Sequence, residues 1–236
     1  MDWTASFDRD GYAIVPNVVA GAEIERLSQA LGKLQASSTA LERDGQIYAV
    51  RNLLQQVPEI REFARSEPLL RLAREVLGDG AFVVRGLLFD KTPEANWLVP
   101  WHQDLTIAVK ARIEADGYGP WTRKGDVPHV QPPVAVLERM VTLRVHLDES
   151  SADRGPLRVV PGSHASGRLG AEETREWLER IGPTECWVDR GGVLLMRPLL
   201  LHASSPAIMP KRRRVIHLEY AAEPLPNGVE WFEAEV

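Results

Sequence analysis

Three residues of the chain are of types that could hold one metal ion: His102, Asp104 and, 202 − 102 = 100 residues later, His202. Side chains at positions i and i+2 of a β-strand project from the same face, so His102 and Asp104 could share an ion. His202 follows the strand-like run Val193–Met196 and a turn at Pro198, where a strand could resume. Two histidines and one carboxylate on one side of a metal are the ligands of non-haem iron(II) oxygenases.

Zinc is the alternative metal, because two histidines and a carboxylate also serve catalytic zinc. Zinc hydrolases with this ligand set usually carry a helical HExxH motif, and the sequence contains none. An H-x-D tripeptide alone is weak evidence, since many unrelated chains contain one by chance. The second histidine in a strand context makes the pattern more specific, and the ligand types favour iron.

Helices are predicted in the first part of the chain. Apolar residues recur at helical spacing over Ala22–Leu34 and over Pro58–Gly78. The pair Glu67-Pro68 divides the second stretch into two helices, since the residue before proline avoids the helical region. One further helix is predicted later, over Ala171–Ile181.

Short strands are predicted in the rest of the chain, where aliphatic and β-branched runs alternate with Gly, Pro, Asp and Ser. These runs are Ala81–Asp90, Leu105–Val109, Met140–Leu147, Leu157–Val160, Glu185–Val188, Val193–Met196 and Val215–Tyr220. The segment Lys110–Pro133 is rich in glycine and proline and predicts a long loop of the kind that binds or covers a ligand. The pattern favours a β-sandwich or jelly roll buttressed by N-terminal helices.

Composition narrows the class of protein. A chain of 236 residues fits one domain, 1–236, with a helical part over about 1–80 and a β core over about 81–222. A formal net charge of −5 argues against a general nucleic-acid binder. The single cysteine, Cys186, makes no internal disulfide, and no apolar stretch approaches the ~20 residues of a membrane span. We expect a cytoplasmic protein with no nucleic-acid or membrane partner, and leave monomer or homodimer open.

Three parts of the sequence resemble the phytanoyl-CoA dioxygenase family, and their order and spacing match from about Phe7 to Tyr220. The Gly-Pro-Leu-x-x-x-Pro-Gly-Ser-His segment is rather specific to that family. The resemblance implies a double-stranded β-helix, a cupin-like jelly roll, and the use of iron(II), 2-oxoglutarate and O2. The matching segments are Phe89–Pro93 with Val99–Leu105, Gly155–His164, and Leu199–Pro206 with Arg213–Ile216.

The resemblance also implies roles for individual residues. His102, Asp104 and His202 would hold the iron. The family places an arginine eleven residues after the distal histidine, and 213 − 202 = 11 selects Arg213 for the far carboxylate of 2-oxoglutarate. The planar guanidinium of arginine matches a carboxylate with two parallel hydrogen bonds. His164 ends the family's loop motif and is expected to be structural.

Strand alternation disagrees with this choice of arginine. The apolar residues at even positions of the run Val215–Tyr220 share their parity with Arg214, not with Arg213. Period-two alternation would therefore put Arg214 on the apolar face. Either a bulge reverses the parity or the interior of the barrel is the polar face, and the spacing favours Arg213.

Three more basic residues are candidates for binding the co-substrate. Polar residues, Arg144 among them, alternate with apolar ones along Met140–Leu147. That polar face either meets solvent or lines a cavity that holds a polar co-substrate. The resemblance implies that a residue near position 144 touches 2-oxoglutarate and puts Lys91 and Arg51 near the pocket; the alternative for Lys91 and Arg51 is a surface charge.

The predicted function is hydroxylation of a C–H bond of a small organic metabolite, with 2-oxoglutarate converted to succinate and CO2. Related halogenases carry a small residue in place of the carboxylate of Asp104, so its presence favours hydroxylation or another two-electron oxidation. Two alternatives stay open: a non-catalytic jelly-roll binding protein with a vestigial site, and a cupin enzyme without a co-substrate. Arg213 argues against the cupin enzyme, which has no need of a carboxylate clamp.

Overall fold

Antiparallel strands dominate the fold in a computed structural model, which describes residues 3–34, 40–43, 46–209 and 211–234. The helices in these ranges are α1 Thr4–Asp10, α2 Gly21–Leu31, α3 Leu53–Gln56, α4 Pro58–Ala64, α5 Glu67–Leu77, α6 Val134–Glu138 and α7 Ala171–Arg180, with 3₁₀ turns at Ala152–Arg154 and Ser163–Ser166. The strands are β1 Tyr12–Val15, β2 Ala40–Arg43, β3 Gln46–Val50, β4 Phe82–Lys91, β5 Val99–His102, β6 Ile107–Ala108, β7 Trp121–Lys124, β8 Val127–Val130, β9 Met140–His146, β10 Leu157–Val159, β11 Thr184–Cys186, β12 Val193–Met196, β13 His202–Ser204 and β14 Arg213–Ala221.

Three sheets account for all of these strands. The major sheet has the order β1-β12-β9-β14-β4-β3-β2, the minor sheet β11-β10-β13-β5, and the small sheet β6-β8-β7. Leu157 and Val159 of β10 pack against Leu194 and Met196 of β12, so the major and minor sheets face each other. This arrangement confirms the predicted jelly roll, and β5 forms one edge of the minor sheet.

The two faces of the major sheet differ in polarity. Residues at alternate positions of β9 and β14, such as Leu143 and Leu218, pack with the N-terminal helices in one apolar core. The hydroxyl of Tyr220, on the same face, donates to the carbonyl of Ala64 in α4 at 2.8 Å. Most of the intervening positions are polar and buried, among them Arg144 and Arg213, and they lie on the face opposite the helices; Met140, Val215 and Ala221 are apolar. The barrel interior is therefore the polar face, and the outer face is the hydrophobic one.

The predicted helices and strands are largely confirmed. The break predicted at Glu67-Pro68 separates α4 from α5, with Pro68 in the first turn of α5. The predicted run Val193–Met196 is β12 with the same bounds. The helix predicted over Ala171–Ile181 is α7. In the described part of the chain, no helix combines the length and apolarity needed to cross a membrane.

The structure adds strands at two places where none was predicted. The part over about 1–80 is not purely helical, because β1, β2 and β3 lie in it and join the major sheet. The predicted long loop Lys110–Pro133 contains a hairpin, β7–β8, which pairs with β6. Apart from Pro128, which lies inside β8, the glycines and prolines of this segment lie at its turns and ends, and two four-residue runs pair.

Substitutions at two neighbouring positions of β9 test this assignment of faces. Leu143→Ala should lower the free energy of unfolding by about 2–5 kcal/mol, because it leaves a cavity in the core between sheet and helices. Thr142→Ala should change it by less than about 1 kcal/mol, since the buried Thr142 hydroxyl has no hydrogen-bond partner to lose. Urea denaturation followed by circular dichroism measures both, and the reverse order of effects would contradict the assignment.

Candidate active site

His102, Asp104 and His202 lie together on the inner side of the minor sheet. His102 ends β5 and His202 begins β13, and the two pair directly across the antiparallel ladder. Asp104 follows β5, with its backbone N–H bonded to the carbonyl of Pro198 at 2.9 Å. One possible ligand atom from each residue lies within 4.8 Å of the others.

The two imidazoles present the same nitrogen to the carboxylate. Nδ1 of His102 lies 2.8 Å from the carbonyl oxygen of Pro100, and Nδ1 of His202 lies 2.8 Å from that of Leu200. A carbonyl only accepts, so each Nδ1 carries the hydrogen and each Nε2 keeps its lone pair. The Nε2 atoms lie 3.8 Å and 3.6 Å from the Asp104 oxygens Oδ1 and Oδ2.

These donor atoms fit a divalent transition metal. Two imidazole lone pairs converge on one carboxylate, and the buried Oδ2 of Asp104 has no hydrogen-bond partner. Burial lowers the pKa of His202 to about 4, although Asp104 acts against the shift, so this imidazole is neutral at physiological pH. Burial acts to raise the pKa of Asp104, but electrostatic interactions with His202, His217, His102 and Arg144 lower it overall. One carboxylate and the Nε2 atoms of two imidazoles together offer three ligand atoms to a divalent metal.

Three buried cations lie across the barrel from this triad, on the major sheet. Lys91, Arg144 and Arg213 are only 2%, 7% and 5% exposed, and we call them the cationic cluster. None of the three has a carboxylate within salt-bridge distance in the described ranges. Burial lowers the pKa of all three, that of Lys91 to about 7. Uncompensated buried charge is costly, so the cluster fits an anionic ligand, and three cations suit a dicarboxylate.

The cluster is anchored to the strands that carry the triad. The ammonium group of Lys91 donates to the hydroxyl of Ser204 at 2.9 Å and to the carbonyl of Ser205 at 2.7 Å. Ser204 is two residues from His202 on β13 and therefore on the same face of that strand. A dicarboxylate on the cluster would thus extend towards the metal ligands.

Gly155, the first residue of the Gly-Pro-Leu motif, shapes this end of the barrel. Its carbonyl accepts from Arg213 and, at 3.1 Å, from the hydroxyl of Ser204. Its φ is +60°, and an added Cβ would lie 2.4 Å from the carbonyl oxygen of Ser205. Only glycine fits this close approach of two backbone segments, which gives a physical reason for the first residue of the motif.

The two adjacent arginines of β14 point to opposite sides of the sheet. Arg213 is buried in the barrel and donates to the hydroxyl of Ser150 at 3.3 Å and to the carbonyl of Gly155. Arg214 bonds both oxygens of Asp148 at 2.8 Å on the outer side. The register shift on β14 comes later, between Glu219 and Tyr220, so the polar interior accounts for the parity of Arg213 and a bulge does not.

Beside Asp104 lies a further cavity of about 190 Å³, which we call the open cavity. Arg51 lines it and makes none of the contacts that join the cationic cluster, so the structure separates Arg51 from Lys91, Arg144 and Arg213. His164 lies away from the triad, with its ring against Gly11. The other polar residues of the cavity wall are Arg85, Thr106, Lys124, His217 and Glu219.

Sequence reasoning missed most of these cavity residues. His217 and Glu219 share the parity of Arg213 on β14, and that alternation was the signal that could have found them. Arg85 shares its parity on β4 with Lys91, which is a signal of the same kind, whereas Lys124 comes from β7 and carries no local signal of its position. Arg85 bonds Glu219 at 3.0 Å and bonds Nε2 of His129 in the small sheet at 3.3 Å, so it joins the barrel to the hairpin.

Known proteins share both the sequence and the fold. The family described as phytanoyl-CoA dioxygenase (PhyH) matches residues 7–215. Ectoine dioxygenase from Sphingopyxis alaskensis is 26% identical over 98% of this chain and 81% of its own length. L-proline trans-4-hydroxylase from Streptomyces griseoviridis is 23% identical over 93% of this chain and 85% of its own length. A crystal structure of EctD from S. alaskensis with 2-oxoglutarate and 5-hydroxyectoine superimposes with a TM-score of 0.75, at 25% identity over 99% of this chain and 82% of that one.

Removal of single triad side chains tests the metal centre. His102→Ala, Asp104→Asn and His202→Ala should each weaken anaerobic iron(II) binding by about 100-fold or more, because each takes away one ligand or its charge. His164→Gln is the matched control and should bind iron(II) as the wild type does. Equilibrium dialysis with metal analysis measures the affinity, and unchanged iron binding in the triad variants would contradict the assignment.

Proposed function

Since the chain belongs to the phytanoyl-CoA dioxygenase family, we propose that His102, Asp104 and His202 hold iron(II) in an enzyme that hydroxylates a C–H bond of a small organic metabolite. Its activity class is that of an iron(II)- and 2-oxoglutarate-dependent dioxygenase. The observation that carries the site assignment is the free Nε2 of both histidines facing one unpaired carboxylate. Ectoine and L-proline, in the names of two relatives, are small molecules and support the substrate class.

We assign 2-oxoglutarate to the barrel interior between the triad and the cationic cluster. Its distal carboxylate pairs with Arg213, whose guanidinium has a buried Nε without a partner. Lys91 lies at the same end of β4 and β14, directly across the ladder from Arg213, and adds a second positive charge. Arg144, also with an unpartnered buried Nε, is held by Nδ1 of His217 at 2.9 Å and faces the same interior.

Bound iron(II) with 2-oxoglutarate and O2 supplies the oxidising power for C–H cleavage, and the co-substrate leaves as succinate and CO2. The chain's own residues do the positioning. The Pro100 and Leu200 carbonyls fix the imidazole rings, and the cationic cluster orients the co-substrate. The apolar residues of β10 and β12 close the far side of the barrel and exclude water from the reacting centre.

A pair of adjacent arginines tests the co-substrate assignment. Anaerobic titration of the iron(II) protein with 2-oxoglutarate should produce a visible charge-transfer band. Arg213→Ala should weaken 2-oxoglutarate binding by roughly 10–100-fold, because it removes a buried charged hydrogen-bond donor. Arg214→Ala, on the outer face, should leave the affinity unchanged.

The titration also separates the alternative functions. No band with iron bound would exclude 2-oxoglutarate and favour a cupin enzyme without a co-substrate. No iron binding would favour a non-catalytic binding protein with a vestigial site. Equal weakening by both arginine variants would remove Arg213 from its assigned role.

The lowered pKa of Lys91 predicts a pH dependence of 2-oxoglutarate binding. Burial first, then Arg213 and Arg144, lower the pKa of Lys91 to about 7, so its amine is largely neutral above that pH. A bound carboxylate favours the charged form and raises this pKa, so binding above pH 7 takes up a proton. The dissociation constant should therefore rise between pH 7 and 8.5, by at most about tenfold per unit. Lys91→Met should flatten this slope in charge-transfer titrations, and an unchanged slope would contradict the role of Lys91.

A further inference from the structure

Two cations in the wall of the open cavity have no carboxylate within salt-bridge distance among the residues that the structure describes. We propose that this cavity binds the primary substrate through an anionic group, a carboxylate or an oxyanion of similar size, held between Lys124 and Arg51. The inference rests on the proposed function and names the substrate class for that site: a small anionic metabolite.

The other charges of the cavity wall are already paired, apart from Asp104, whose charge would be offset by the metal that it holds. Arg85 bonds Glu219 at 3.0 Å, and their side chains are only 8% and 7% exposed. Nε2 of His217 lies 3.4 Å from the same carboxylate oxygen. Asp104 belongs to the triad. Arg85 and Glu219 neutralise each other, so the charge that faces an incoming molecule comes from Lys124 and Arg51.

Neither of these two cations has a carboxylate within 4.0 Å among the residues that the structure describes. The ammonium group of Lys124 donates to the hydroxyl of Thr106 at 3.1 Å, a neutral acceptor. Burial, followed by Arg85 and Arg51, lowers the pKa of Lys124 to about 8. An ammonium group that is buried beside other cations gains most from a bound anion, because the anion removes both the repulsion and the desolvation cost.

Lys124 belongs to the hairpin β7–β8, which is hydrogen-bonded to the barrel through His129 and Arg85. Burial lowers the pKa of His129 to about 4, so its ring is neutral. Its Nδ1–H donates to the carbonyl of Val127 at 3.1 Å, which leaves Nε2 to accept from Arg85 at 3.3 Å. Lys124 is therefore held over the cavity by the fold and does not depend on a free side chain reaching in from solvent.

The position and size of the cavity suit a substrate site. Asp104 forms part of its wall, so a molecule bound there lies beside the metal ligands. Its volume of about 190 Å³ is below the ~300–1,000 Å³ typical of pockets for drug-sized ligands, so the cavity suits a smaller molecule. Lys91 and Arg213 are held by Ser204 and Gly155, which do not line the open cavity, whereas Arg144 meets its wall at His217. An anion between Lys124 and Arg51 therefore leaves Lys91 and Arg213 to the co-substrate.

Bromide is a suitable probe, because it is a small monoanion that can be located by anomalous scattering. Crystals of the protein loaded with manganese(II) and 2-oxoglutarate would be soaked in sodium bromide. We expect an anomalous peak between the ammonium group of Lys124 and the guanidinium of Arg51. Lys124→Met and Arg51→Met should each lose the peak, Lys124→Arg should keep it, and Lys33→Met, an exposed matched control, should keep it.

The other outcomes overturn the inference. Lys124 and Arg51 do not form an anion site if bromide lies only on the metal or only elsewhere on the surface. The same holds if both methionine variants retain the cavity peak, because the peak is then an adventitious ion only. Failure of the proposed function looks different in the same crystals, since metal or 2-oxoglutarate would then be missing from the barrel. With both bound and no anion in the cavity, only the substrate inference fails.

Discussion

Charge buried inside the barrel is the constraint on which the rest of the structure depends. A sheet that turns arginines and a lysine inward cannot use that face as its main hydrophobic core. The apolar positions of β9 and β14 point outward instead and need a cover, which α2, α4 and α5 provide. The N-terminal helices are therefore required by the same alternation that lines the interior with cations. Apolar clusters remain in the interior next to β12, around Leu194 and Met196, and at the Met140–Ala221 end of β9 and β14.

The two sheets present different kinds of chemical group to the barrel interior. The minor sheet supplies lone pairs and a carboxylate, which are ligands for a cation, and the major sheet supplies cations, which are ligands for an anion. A metal with an anionic co-substrate would suit both sheets at once, because it would place positive charge against Asp104 and negative charge against Arg213. The small sheet adds a third contribution, since it brings Lys124 to the cavity beside Asp104.

The features of the fold and the site that depend on local sequence patterns could be predicted from the sequence. The run Val193–Met196 is aliphatic and bounded by turns, and its strand was predicted with the observed bounds. The spacing of His102, Asp104 and His202 predicted a cluster that the fold does bring together. The hairpin β7–β8 was missed because its strands are four residues long, partly polar and interrupted by Pro128. The position of Lys124 beside Asp104 depends on the Arg85–His129 contact between distant segments, which no window of sequence contains.

The place of His102 on β5 has a consequence for the stability of the protein. β5 is the last strand of the minor sheet, and in the described part of the chain its one ladder is with β13. A metal ion bound by His102 and His202 joins these two strands a second time, through a bond that only the folded chain can form. Because the metal would bind only the folded chain, the free energy of unfolding would rise with the logarithm of the free metal concentration. The supply of metal would in this way set how often the edge strand opens to proteases as well as how fast the enzyme works.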